Sequence, residues 1–278
     1  MKNILITGAN SYVGTSFEKW LSQWPDKYHV DTIDMIDGTW REKSFKGYDV
    51  IFHVAGIAHR KETKANAHKY YEINRDLAVE TAKKAKQDGV SQFIFMSTMG
   101  VYGMLTGVIT KETVPNPKTH YGKSKLQAEE QIRQLSDDSF RVVVLRPPIV
   151  YGKNCTGNYA KLSRFAKESW FFPNINNKRS MLYIDNLSEY ARRTIDGMYS
   201  GIYLPQNEDY VCTAQLVKEI THIHNKKIAL IKLFNPIIKF LIGRIDVISK
   251  LFGDCVYERT EDCSYMIHFK DTVRLSEE

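Results

Sequence analysis

The chain has little cysteine, no apolar run long enough to span a bilayer, and no basic stripe interleaved with aromatic residues. Its four cysteines, Cys155, Cys212, Cys255 and Cys263, show no C-x-x-C spacing. That speaks against a zinc site or a disulfide framework and suits idle thiols in a reducing compartment. The first residues, Met1-Lys2-Asn3, run at once into a strand pattern rather than a signal peptide, so a cytoplasmic location is expected. No internal repeat or low-complexity linker interrupts the 278 residues. A net charge of +7 fits an anionic substrate better than nucleic acid when the cations are unclustered.

What is present is alternation. Short apolar runs at Ile4–Ile6, Val30–Ile33, Val50–Val54, Phe93–Met96 and Arg141–Leu145 read as strands buried on both faces. Helical patterns fall between them, including Tyr71–Gln87 and Tyr121–Leu135. The expectation is a doubly wound, mostly parallel α/β sheet, Rossmann-like, over residues 1–150. Pro147-Pro148 ends the last run because proline has no amide proton for a ladder. Residues 151–278 are expected to form mainly a smaller lobe, with one strand near 201–207 returning to the sheet.

Thr7–Gly14, TGANSYVG, sits where the first strand meets the first helix. Gly8 and Gly14 hold the outer positions of a dinucleotide loop, but Ser11 stands at the middle one. A serine hydroxyl there caps the helix or reaches a phosphate oxygen. Asp34 follows Gly14 by twenty residues at the end of the next strand, placed to accept hydrogen bonds from adenosine ribose hydroxyls. Met35 and Ile36 follow it where an arginine would favour NADP, so NAD is expected. Tyr121 and Lys125 are four apart on a helix and share a face. An ammonium near a phenol favours the phenolate that a proton acceptor needs. Ser97-Thr98 puts hydroxyls at the carboxyl end of a strand, where open α/β sheets bind ligands.

Together these motifs resemble the extended short-chain dehydrogenases, in particular the NAD-dependent nucleotide-sugar epimerase/dehydratase family. DVIFHVAG (Asp49–Gly56), Asn74, STMGVYG (Ser97–Gly103), RPPIVYG (Arg146–Gly152) and RSMLYIDNL (Arg179–Leu187) extend the match along nearly the whole chain. The resemblance implies that Thr98 holds the sugar O4, Tyr121 exchanges its proton and Lys125 holds the nicotinamide ribose. It implies a cofactor site of Gly8, Asn10, Ser11, Tyr12, Val13, Gly14, Asp34, Ala55, Gly56, Asn74, Lys125 and Pro147. Arg179, with Tyr183 four residues on, would bind the substrate diphosphate. Two departures stand out: Ser11 itself, and a step of only fifteen positions from Asp34 to Asp49, where the family fits a further strand. Asp37 is the nearby acid for an adenine contact.

The function expected is hydride transfer at C4 of a UDP-hexose, with a UDP-sugar 4-epimerase of surface polysaccharide synthesis first. A UDP-4-keto-hexosamine reductase and a non-catalytic dinucleotide-binding protein are the alternatives. The dehydratase branch is disfavoured because Met99-Gly100, not an acidic pair, follows Thr98. A UDP-hexose is the expected partner, nucleic acid and metal are not, and homodimerisation is left open. His222 and His224 read as surface histidines and His53 as a core residue. Residues Lys226–Phe252, apolar and basic, invite a membrane-surface helix, but Pro236 and Gly243 break the stretch, so packing against the lobe is expected, with peripheral membrane contact as the alternative.

Overall fold

The computed structural model describes residues 1–58, 62–259 and 264–278. Cys263 lies outside the described residues. In chain order the first elements are β1 (Lys2–Thr7), α1 (Tyr12–Leu21), β2 (Tyr28–Ile33), β3 (Val50–His53) and α2 (Ala67–Tyr71). Then come α3 (Leu77–Gln87), β4 (Gln92–Met96), β5 (Gly107–Ile109), α4 (His120–Arg133), β6 (Arg141–Leu145) and β7 (Ile149–Tyr151). They are followed by α5 (Asn158–Glu168), β8 (Phe171–Pro173), β9 (Met181–Tyr183), α6 (Ile184–Asp196) and β10 (Gly201–Tyr203). The chain ends through α7 (Thr213–Ile223), β11 (Ala229–Ile231), α8 (Asn235–Leu241), α9 (Asp246–Phe252), β12 (Cys255–Tyr257) and α10 (Phe269–Glu277).

Two compact units result. The first comprises Met1–Gly103, Pro115–Pro147 and Leu187–Pro205. It is built on a six-stranded sheet in the order β10-β6-β4-β3-β1-β2, parallel throughout. The four residues of β3 and the five of β4 are all buried, as strands covered on both faces must be. Winding reverses between β1 and β3, so their carboxyl ends, Thr7 beside His53, form the switch point where such sheets bind ligands.

Local departures from the sequence reading have simple causes. The helix expected from Tyr71 begins at Ala67, and one π-helical turn over Glu72–Asp76 joins α2 to α3. In agreement with its shortness, the Asp34–Asp49 connection holds no strand, only a 3₁₀ turn at Thr39–Arg41. Trp40 and Phe45 from this connection are fully buried, their rings stacked 6.4 Å apart. They close the core where a further strand would lie, leaving β2 as the sheet edge.

The second unit comprises Met104–Val114, Pro148–Asn186 and Gln206–Glu278. Residues 104–114 depart from a boundary at 150 because β5 pairs with β12, 148 residues later in register Gly107–Cys255. β7 pairs with β9, and β8 with β11, as separate two-stranded pieces. Tyr151, fully buried, stacks on Tyr159 at 5.0 Å and shares a 2.6 Å hydrogen bond with Thr272.

Candidate active site

The loop after β1 is set by sterics. Gly8 has φ +95°, and a Cβ on it would stand 2.9 Å from the Ala55 backbone nitrogen and Cα. The main chains of two strand ends therefore touch at Gly8, and only glycine satisfies both conditions. Asn10 is also left-handed, at φ 64°. Ser11 is the N-cap of α1, its Oγ accepting from Gly14 N at 3.1 Å. Of the two roles open to this hydroxyl, the structure shows the cap. Tyr12 and Val13 begin the first turn of α1, whose amides carry the partial positive charge of a helix start. Gly8 N and Ala9 N both donate to Ile33 O, which brings the loop against the end of β2. Asp34 follows there, exposed, its Oδ1 accepting from Ile36 N at 2.9 Å. Asp37 is exposed too, and hydrogen bonds from the Thr39 hydroxyl and amide lower its carboxyl below the usual range.

Across the switch point, Asn74 is fully buried in the π-helical turn. Its Oδ1 accepts from Ile57 N at 2.8 Å, and its Nδ2 donates to Ile57 O at 3.1 Å and Ser124 Oγ at 3.3 Å. Asn74 thus clamps the Ala55-Gly56 loop and ties it to α4. A Cβ on Gly56 would meet Asn74 Oδ1 at 2.8 Å and Lys125 Nζ at 3.3 Å. Pro147 closes the same floor, its carbonyl accepting from Met99 N at 2.8 Å.

Thr98, Tyr121 and Lys125 come together at the carboxyl end of β4. Thr98 Oγ1 caps a 3₁₀ turn by accepting from Gly100 N at 3.0 Å, near enough to Tyr121 to act on its phenol. Burial is the largest influence on Tyr121 and raises its phenol; the neighbouring Thr98 side chain pulls the other way. Lys125, 4% exposed, donates to Met96 O at 2.8 Å with its ammonium 4.7 Å from the Phe95 ring centre. Burial pushes its amine down to about 8, against the pull of Glu129. The lysine is thus within reach of neutrality near physiological pH, and it is held by the strand end rather than by the tyrosine.

Supporting residues escaped the sequence reading. Glu62 accepts from the main-chain amides of His120 (2.8 Å) and Tyr121 (2.9 Å), placing a carboxylate on the N-terminus of α4. Glu129, two turns beyond Tyr121, accepts from Arg146 at 2.5 Å in a pair almost wholly withdrawn from solvent. The Ser97 hydroxyl donates to the same carboxylate, and Arg146 Nη1 donates to Tyr102 Oη at 2.8 Å. Glutamate in the third turn of the helix and arginine at the start of RPP were the available signals. Neither reveals its partner, because a pair across 17 residues is set by the fold. His53 is a core residue: its Nδ1 shares a 2.8 Å hydrogen bond with Thr7 Oγ1, and burial pushes it down to about 3.

In the second unit Arg179 is 9% exposed. Its Nη1 donates to Gly253 O at 3.1 Å and Ser249 O at 3.4 Å, while its Nε has no partner among the described residues. Tyr183 is buried in β9, and burial raises its phenol. His224 Nε2 lies 2.8 Å from Glu277, which also accepts from Tyr159 and Ser163, whereas His222 is exposed. No group of three or more histidine, cysteine or acidic side chains among the described residues is placed to hold a metal. Cys155, Cys212 and Cys255 are unpaired thiols.

These residues fit a dinucleotide. The glycine wall at Gly8 and Gly56 would be filled by any Cβ, the capped start of α1 suits a diphosphate, and Asp34 suits a ribose diol. The comparisons agree. The UDP-glucose 4-epimerase of Vibrio cholerae is 31% identical over 285 aligned positions, spanning 91% of this chain and 86% of that one. The N-acetyl-α-D-glucosaminyl-diphospho-ditrans,octacis-undecaprenol 4-epimerase of Escherichia coli O157:H7 is 26% identical, over 90% and 81% of the two chains. The crystal structure of UDP-glucuronic acid 4-epimerase from Bacillus cereus with NAD superposes with a TM-score of 0.75 at 16% identity, over 99% and 97%. That likeness establishes the fold. The model of the NAD dependent epimerase/dehydratase family matches residues 4–197. The chain is a member of the NAD-dependent epimerase/dehydratase family.

Proposed function

We propose that this enzyme interconverts C4 epimers of a UDP-hexose, in the cytoplasm, for assembly of a surface polysaccharide. The observation that carries the reading is the convergence of Thr98, Tyr121 and Lys125 on one strand end beside the Gly8–Gly56 cradle. NAD, when bound, supplies a reversible hydride acceptor. The protein's own groups handle the proton and the orientation. Thr98 and Tyr121 present adjacent hydroxyls to a sugar hydroxyl, so one donates while the other accepts. Tyr121 then moves the proton, and Lys125, held down to about 8 and still mostly charged at neutral pH, supplies the cation one turn away that favours the phenolate. Asp34 holds the adenosine ribose, with Asp37 the candidate for adenine. Arg179 is the proposed partner of the diphosphate: a buried guanidinium with an unsatisfied Nε suits an anionic oxygen. The relatives support C4 as the reacting carbon, since both are named as 4-epimerases of hexoses carried on a diphosphate.

The test is NMR of UDP-glucose and UDP-N-acetylglucosamine incubated with the purified enzyme. The 4-epimer is expected, and Tyr121→Phe should slow its formation by more than ~100-fold, about 3 kcal/mol of barrier. Less than a tenfold loss, under ~1.4 kcal/mol, would overturn the assignment of Tyr121. Denaturing the protein should release NAD in stoichiometric amount. A protein that carries none and instead consumes NADH with a 4-keto sugar is a reductase.

A further inference from the structure

The second unit carries a surface that neither its core nor the reaction explains. Trp170 is 86% exposed and Phe171, the first residue of β8, is exposed beside it. β11 pairs with β8, with Ala229 N donating to Trp170 O at 2.9 Å. The chain then passes through Leu233 and Phe234 into α8, where Ile237 and Phe240 are both about 60% exposed. Leu233, Ile237 and Phe240 have the spacing of one helical face, but that face looks outward. Asn235 Nδ2 binds Asn174 O at 2.9 Å and so ties α8 to the end of β8. In α9 Val247 is exposed, and together with Leu251, Phe252, Phe165 and Phe172 it lines a cavity of about 610 Å³. The expectation that 226–252 packs against its lobe thus holds for Ile238, Ser249 and Phe252 and fails for most of the rest.

The same stretch is basic. Lys226, Lys227, Lys232, Lys239, Arg244 and Lys250 are exposed against a single acid, Asp246. None of the six forms an ion pair with a described residue. Arg244 lies over the Phe240 ring at 4.2 Å, so cation and aromatic share one location. Exposed aromatic and aliphatic side chains interleaved with lysine and arginine are the composition that enters the headgroup layer of a membrane. None of the described helices is long and apolar enough to cross one.

We propose that this β8–β11–α8–α9 face docks on an anionic membrane surface, its apolar side chains entering the headgroup layer and its cations facing lipid phosphates. Charge selects a bilayer over a second copy of the chain. A two-fold interface would set six cations against the same six, whereas lipid phosphates neutralise them. The inference is independent of the reaction assigned above.

The experiment is co-sedimentation of the full chain with vesicles of phosphatidylcholine, alone or mixed with phosphatidylglycerol. Partitioning onto the mixed vesicles should be at least about tenfold stronger and should fall as salt rises. Trp170→Ser with Phe240→Ser, and separately Lys232→Glu with Lys239→Glu, should each lower it by about tenfold or more. Their far-UV spectra and melting should match wild type, since all four side chains are exposed. Equal binding to both vesicle types, or no effect of either double variant, overturns the proposal. So does a dimer in light scattering that Phe240→Ser dissociates, which would show that a second copy covers the face.

Discussion

The Lys125 ammonium lies 2.8 Å from the carbonyl oxygen of Met96, the last residue of β4, and so one lysine joins α4 to the strand end that presents Thr98. Holding a cation there opposes burial, and the amine falls from 10.5 to about 8. The unfolded chain binds the lysine proton up to its ordinary value, while the folded chain releases it earlier. Between those limits the unfolded state carries more protons, so stability gains from this group as pH rises from 8 to 10.5. The total is on the order of 3 kcal/mol. Lys125→Met should remove that gain, and urea unfolding of both proteins at several pH values across the window reads the difference. Parallel pH profiles for the two would refute it.

Glu129 and Arg146 are expected to behave as a unit. Removing one partner strands a buried charge, so Glu129→Ala should destabilise the protein by about 3–5 kcal/mol. Glu129→Met combined with Arg146→Met removes both charges and should cost less than Glu129→Ala alone. Denaturant midpoints of the single and double variants decide the point.

Gly8 and Gly89 separate two effects of adding a methyl group. Both have positive φ, but a Cβ at Gly89 meets nothing within 4 Å, while one at Gly8 meets the Ala55 main chain. Gly89→Ala should cost only the left-handed strain, about 1–2 kcal/mol, and keep NAD binding. Gly8→Ala should cost more and lose NAD affinity, as fluorescence titration would show.

Asp34→Ser should weaken NAD by about tenfold, or ~1.4 kcal/mol, and narrow the preference over NADP. Calorimetry with each cofactor is the check. Tighter binding of NADP than NAD by the wild type would remove the role given to this carboxylate.

Much of the fold and of the site is written locally in this chain. Unbroken apolar runs become strands buried on both faces, as in Val50–His53 and Gln92–Met96, and the glycine turn, the strand-end hydroxyl and the Tyr121–Lys125 spacing depend on a few neighbouring residues. Such features survive translation into structure because main-chain geometry fixes them. What tertiary structure decided lies further apart. Glu62 reaches the start of α4 across 58 residues, and Trp40 and Phe45 close the core where the family fits a further strand. Folding also spends the Ser11 hydroxyl on a helix cap and holds Lys125 on Met96. The Lys226–Phe252 stretch shows the limit most directly. Its helices form, but which face they bury depends on what the neighbouring elements leave to cover, and here they leave the apolar face outward.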